Sequence, residues 1–125
     1  MYRKWNPMEL KDYPGAIAYI QTQILDLNQE IEQISQSLNR ICNQFELQVA
    51  FDPELKNDSQ RKAKKAELIA SSGDYEYLSK DLAARIYGRD RAQIQLEQLK
   101  NEFTILKLLK REETARLEAY NEIGV

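Results

Sequence analysis

Histidine is absent from the 125 residues. That removes the commonest general base and the commonest metal ligand. There is one cysteine, Cys42, so neither an intrachain disulfide nor an ordinary zinc ligand set can form. Cys42 follows Ile41 in a helical pattern and reads as a small, half-buried hydrophobe; the sequence shows no base or cationic pocket that would activate its thiol. Carboxylates are plentiful, but neighbours such as Glu112 and Glu113 point in different directions on a helix. No pair of acids falls inside an apolar stripe, as a di-metal carboxylate bundle requires. Gly-rich phosphate loops and G-x-S-x-G elbows are missing too. The expectation is a non-enzyme with no catalytic residue, no cofactor and no metal site.

Binding chemistry is better represented. Lys56, Arg61, Lys62, Lys64 and Lys65 fall within ten residues, and Arg85, Arg89 and Arg91 follow further on. On a helix, Arg61, Lys62, Lys64 and Lys65 share one broad face opposite Leu55, Ala63 and Ala66. With Tyr75, Tyr77 and Tyr87 interleaved, such a zone could hold single-stranded nucleic acid. Asp58, Glu67, Asp74, Glu76, Asp81 and Asp90 stand in the same region, so the plainer reading is a solubilising face with i,i+4 pairs. The formal net charge of -2 and pI near 5.3 add no global attraction to nucleic acid or anionic membrane. A second candidate is the aromatic N-terminus, where Tyr2, Trp5 and Tyr13 either dock a partner or close over the end of a core.

These residues must be carried on helices. Gly and Pro number 4 and 3 and charged residues are 30 %, a composition poor in turns and rich in helix formers. Residues 1–14, broken by Pro7 and Pro14-Gly15, are expected to be an irregular arm, and 15–125 one helical domain. From there Ile17, Ile20, Ile24, Leu27, Ile31, Ile34, Leu38, Ile41 and Phe45 alternate spacings of three and four without an error. That is an a/d heptad seam, and it predicts a helix over 15–47. The flanks, among them Gln21, Asn28, Ser35, Gln23, Ser37 and Gln44, are mostly uncharged, which suits partly covered positions in a bundle of three or four helices. Asp52-Pro53-Glu54 reads as a helix start, giving a second helix over 53–71. Its apolar side is thin: Leu55, Ser59, Ala63, Ala66 and Ala70. Ser71-Ser72-Gly73-Asp74 reads as a turn, with Gly73 in a left-handed conformation and Ser72 or Asp74 capping the next helix. A third helix over 74–121 would be about 70 Å long. Its stripe runs through Tyr75, Leu78, Leu82 and Ile86, thins at Arg85, Arg89 and Arg91, resumes at Leu96, Leu99, Phe103 and Leu106, and closes at Leu117 and Tyr120.

The fold class is therefore all-α. The favoured arrangement is a long antiparallel helical hairpin, a coiled coil whose interrupted first arm doubles back at 71–74 onto the third helix. The seam of 17–45 would then face 96–120, and the second helix would face 75–92. The alternative is a three-helix up-down-up bundle. One seam buries too little to offset the backbone entropy of so many ordered residues, so a homodimer forming a four-helix bundle is expected.

Leu55-Lys56-Asn57, Gln60-Arg61-Lys62-Ala63, Tyr75 and Leu78 after a turn, and Asn101-Glu102-Phe103 deep in a long helix resemble a pattern in small uncharacterised coiled-coil proteins of phages and some bacteria, including cyanobacteria. The resemblance covers about residues 50–110. Genes for such proteins often sit among phage recombination or single-strand-binding functions, so it implies an accessory role in DNA metabolism and assigns no site. From the residues themselves, the leading expectation is a non-catalytic oligomeric scaffold or adaptor that binds protein partners. The alternative is an accessory nucleic-acid-binding protein using the basic zone. No window approaches the ~20 apolar residues of a membrane span, and the expected location is the cytoplasm.

Overall fold

The computed structural model describes residues 8–123. It is all-helical, with no strand among the described residues. A 3-10 turn over Leu10–Asp12 leads into three α-helices: α1 (Tyr13–Ala50), α2 (Asp58–Ala70) and α3 (Gly73–Ile123). Two compact units can be distinguished, residues 25–89 and the remainder on either side of them; α1 and α3 contribute to both.

Local chemistry explains the helix ends, and in several places corrects the sequence reading. Pro14 does not keep the chain irregular. It is the second residue of α1, in the first turn, where its missing N–H costs nothing. Asp52-Pro53-Glu54 does not start α2: the Asp52 carboxylate accepts from the backbone N–H of Glu54 at 2.9 Å, which closes a local turn instead. The start lies at Asn57. Its side chain accepts from the Gln60 N–H at 2.9 Å, and the Gln60 side chain accepts from the Lys56 N–H at 2.6 Å. This is a reciprocal cap of the capping-box kind. Ser72 caps α3, its hydroxyl accepting from the Tyr75 N–H at 3.1 Å. Gly73 is the first residue of α3, and no glycine has a positive φ among the described residues, so no left-handed cap ends α2.

In the unit of residues 25–89, α1 supplies Leu27, Ile31, Ile34, Leu38, Ile41 and Phe45 as its covered or half-covered side. Arg85 reaches Glu30 at 2.9 Å, Arg89 donates to Asn28 at 3.4 Å, and Gly88 lies beside Leu27. Later residues of α1 thus meet earlier residues of α3. The same holds for α2, where Lys65 pairs with Glu46 at 3.2 Å and Arg61 lines a groove with Val49 and Ala50. The chain therefore reverses within 51–57, not at 71–74. The interrupted partner of α1 is made from α2 and α3, so neither a broken first arm nor an up-down-up order describes this unit.

The stripe that α3 presents is also more regular than its apolar residues suggest. Leu78, Leu82, Arg85, Arg89, Ala92, Leu96, Leu99, Phe103 and Leu106 alternate spacings of four and three, and all are half-buried or buried. Two arginines and an alanine fill the positions where the stripe was expected to thin.

In the other unit, Ile17, Ile20 and Ile24 are buried or half-buried, as are Ala92, Leu96, Leu99 and Phe103. Tyr13 is completely buried. Its ring stacks on Phe103 with centroids 5.5 Å apart and planes within 3°, and its hydroxyl donates to the Glu102 carboxylate at 3.1 Å. Past Lys107, whose ammonium lies 4.3 Å from the Phe103 ring centroid, every described residue of α3 is exposed. The expected pairing of 96–120 with the seam thus stops at about residue 106.

Candidate interaction surfaces

The basic zone is built from α2 and the middle of α3, and its geometry differs from the expected one. The covered side of α2 is Arg61, Lys64, Lys65, Leu68 and Ile69, while Ala63, Ala66 and Ala70 are exposed. The cationic face turns inward because lysine and arginine stems are long and apolar enough to lie over other side chains while their heads stay wet. Val49, 4 % exposed, shares a groove with Arg61, Lys62 and Lys65.

Lys62 is exposed, and most of the other heads are engaged. Arg61 pairs with Asp58 at 3.0 Å, Lys64 with Glu67 at 3.6 Å and Lys65 with Glu46 at 3.2 Å. The Lys56 ammonium donates to the Pro53 carbonyl at 3.0 Å. Arg85 is bound by Glu30 and by Asp81, the latter at 3.3 Å, and Arg89 and Arg91 also have partners. Nor do these cations form one zone. Lys65 sits at Glu46 and Arg85 at Glu30, positions about 24 Å apart along α1 at 1.5 Å per residue.

Of the aromatic arm, Tyr2 and Trp5 lie outside the described residues. Tyr13 is a core residue, which removes it as a docking side chain. Burial, and then the hydrogen bond and negative charge of Glu102, push its phenol above the usual tyrosine range. Cys42 is half-buried. No group of three acids, cysteines or histidines able to hold a metal occurs among the described residues, and no described helix is long and apolar enough to cross a membrane.

The most conspicuous surface is one the sequence reading expected to be covered by the α1 seam. Leu108, Leu109, Leu117, Tyr120 and Ile123 are all more than half exposed on the last turns of α3, Tyr120 by 73 % and Ile123 by 86 %. At the start of this stretch an open groove is lined by Met8, Leu10, Leu106, Leu109, Lys110 and Glu113. A second open groove, in the 25–89 unit, lies between the end of α2 and the first turns of α3. Ile69, Tyr75 and Ala83 supply apolar walls and Lys80 and Glu76 a charged rim.

No protein-family model matches the chain, and no curated protein or solved structure matches it either.

Proposed function

We propose that the chain is a non-catalytic helical scaffold that self-associates as a coiled coil and presents helical faces to protein partners. In this reading α1 pairs antiparallel with α3, and further helices from a second copy complete the cover. A reducing cytoplasm suits its single, half-buried thiol.

The observation that carries the proposal is unburied apolar surface. Leu25, Leu47, Ile94, Ile105, Leu108, Leu109 and Leu117 are each more than half exposed. Most of the α1 seam is only half-covered, and the uncharged flanking residues Gln21, Gln23, Asn28 and Gln44 are exposed. A fully covered bundle would bury both. The cations of the basic zone are spread out, Lys65 at Glu46 and Arg85 at Glu30, and acids are interleaved with them, which favours the scaffold over the nucleic-acid reading.

Sedimentation equilibrium of the purified chain tests the reading. A mass of twice 14.6 kDa, or a higher multiple, is expected at micromolar concentration. A monomer at the highest attainable concentration would defeat it. Single-stranded oligonucleotide binding that is lost on Arg61→Glu with Lys65→Glu would put the nucleic-acid reading in its place.

A further inference from the structure

We propose that the last turns of α3, residues 106–123, pair antiparallel with the same turns of a second copy, in a register centred between Thr114 and Ala115. The inference rests on the self-association reading above and specifies which surface performs it.

The segment carries a heptad seam of its own. Leu106, Leu109, Glu113, Arg116, Tyr120 and Ile123 follow one another at spacings of three, four, three, four and three. All but Leu106 are exposed and Leu106 is half-buried, so the stripe is available to a neighbour. Its ends are apolar and its middle is one acid and one base.

In the proposed register Leu106 meets Ile123 of the second copy, Leu109 meets its Tyr120, and Glu113 meets its Arg116. By two-fold symmetry each of these pairs occurs twice. The positions beside the seam add no repulsion: Lys110 comes near Leu117 of the second copy, and Glu112 near its Ala119. Along the axis, the basic stretch Lys107 to Arg111 lies level with the acidic stretch Glu118 to Glu122 of the second copy, a match felt only at longer range. The groove formed by Met8, Leu10, Leu106 and Leu109 stands where Ile123 of the second copy would arrive.

Other pairings do worse on the same residues. A parallel pair would set Glu113 against Glu113 and Arg116 against Arg116 in the seam, which is repulsive at both levels. An antiparallel pair slipped by one heptad in either direction would set leucine, tyrosine or isoleucine against Glu113 or Arg116. A central polar pair among apolar neighbours is a known device for fixing orientation and register. In the single chain Arg116 rests on Glu112 at 2.7 Å and Lys110 on Glu113 at 3.8 Å. These are exposed same-helix pairs, worth little, and they exchange readily for contacts across an interface.

Sedimentation velocity over a concentration series, with the full chain, decides the matter. Glu113→Arg and Arg116→Glu should each weaken dimerisation at least about tenfold, because each places like charges across the seam. The double exchange should restore it to near the original, with helix content by circular dichroism the same in all four proteins. In a Cys42→Ser background, Leu109→Cys and Tyr120→Cys should each fail to cross-link with themselves on mild oxidation, yet should cross-link when mixed. If the chain dimerises but ignores the charge exchanges, or if each cysteine variant cross-links with itself, this surface and register are wrong while self-association stands. A chain that is monomeric throughout overturns both.

Discussion

The two units solve the same packing problem with opposite chemistry. In one, α1 meets α3 through a buried aromatic pair, Tyr13 on Phe103, with the phenol tied to Glu102. In the other, the meeting point is Arg85 between Glu30 and Asp81, with Arg89 on Asn28, all within reach of water. The aromatic pair buries area and so carries stability. The ionic contacts are between side chains 43 % and 45 % exposed, where screening leaves little net energy. One unit adds a buried aromatic pair to its apolar seam, and the other adds partly exposed ion pairs to its own.

That contrast can be broken most forcefully at Tyr13. Tyr13→Ala should cost about 3–5 kcal/mol, as expected for truncating a fully buried ring, and urea denaturation should show it. A loss below 1 kcal/mol would mean that the aromatic pair is ornamental. At Gly88 the opposite sign is expected. An added Cβ would meet only Leu27 methyls at 4.0 Å, an ordinary contact, and alanine is the better helix former. Gly88→Ala should therefore raise stability by about 0.5–1 kcal/mol, measured the same way. Arg85→Leu sharpens the comparison further. It continues the apolar stripe between Leu82 and Ala92 while releasing Glu30 and Asp81 to solvent, so stability should hold or rise slightly. A clear drop in melting temperature would show that the ion pair carries net energy.

The finest effect concerns pH. Burial and Glu102 raise the phenol pKa of Tyr13, so the folded state holds that proton more tightly than the unfolded chain does. The associated stability is complete below the ordinary tyrosine value of about 10 and is lost as pH climbs through the raised one. Melting temperature followed upward from pH 9 should therefore fall more steeply in the parent protein than in Tyr13→Phe. Parallel curves would remove Tyr13 as the titrating group.

How much of this was legible beforehand varies along the chain. The seam of α1 was, because nine apolar residues keep the heptad spacing without interruption and every one is buried or half-buried. The stripe of α3 was only partly so. Arg85 and Arg89 occupy seam positions, and an arginine there reads as polar although its stem packs like an apolar chain. The same property hid the orientation of α2, where the lysines rather than the alanines turn toward α1. The start of α2 was misread because Asp-Pro-Glu suits a helix N-terminus and a tight turn equally well. The Asn57 and Gln60 cap, equally visible in the sequence, was the decisive signal. The end of α3 reads in the sequence as the close of a covered stripe, at Leu117 and Tyr120, because periodicity alone does not show where the facing helix runs out; both residues are exposed.

The reversal at 51–57 also fixes the order in which the chain can gather itself. Lys65 and Glu46 are 19 residues apart, Arg85 and Glu30 are 55, Arg89 and Asn28 are 61, and Tyr13 and Glu102 are 89. Closing the longest of these loops from the open chain costs only about 1.4 kcal/mol more than closing the shortest, but each inner contact, once made, shortens the search for the next. Folding should begin beside the reversal and run outward like a zip, with the burial of Tyr13 expected last.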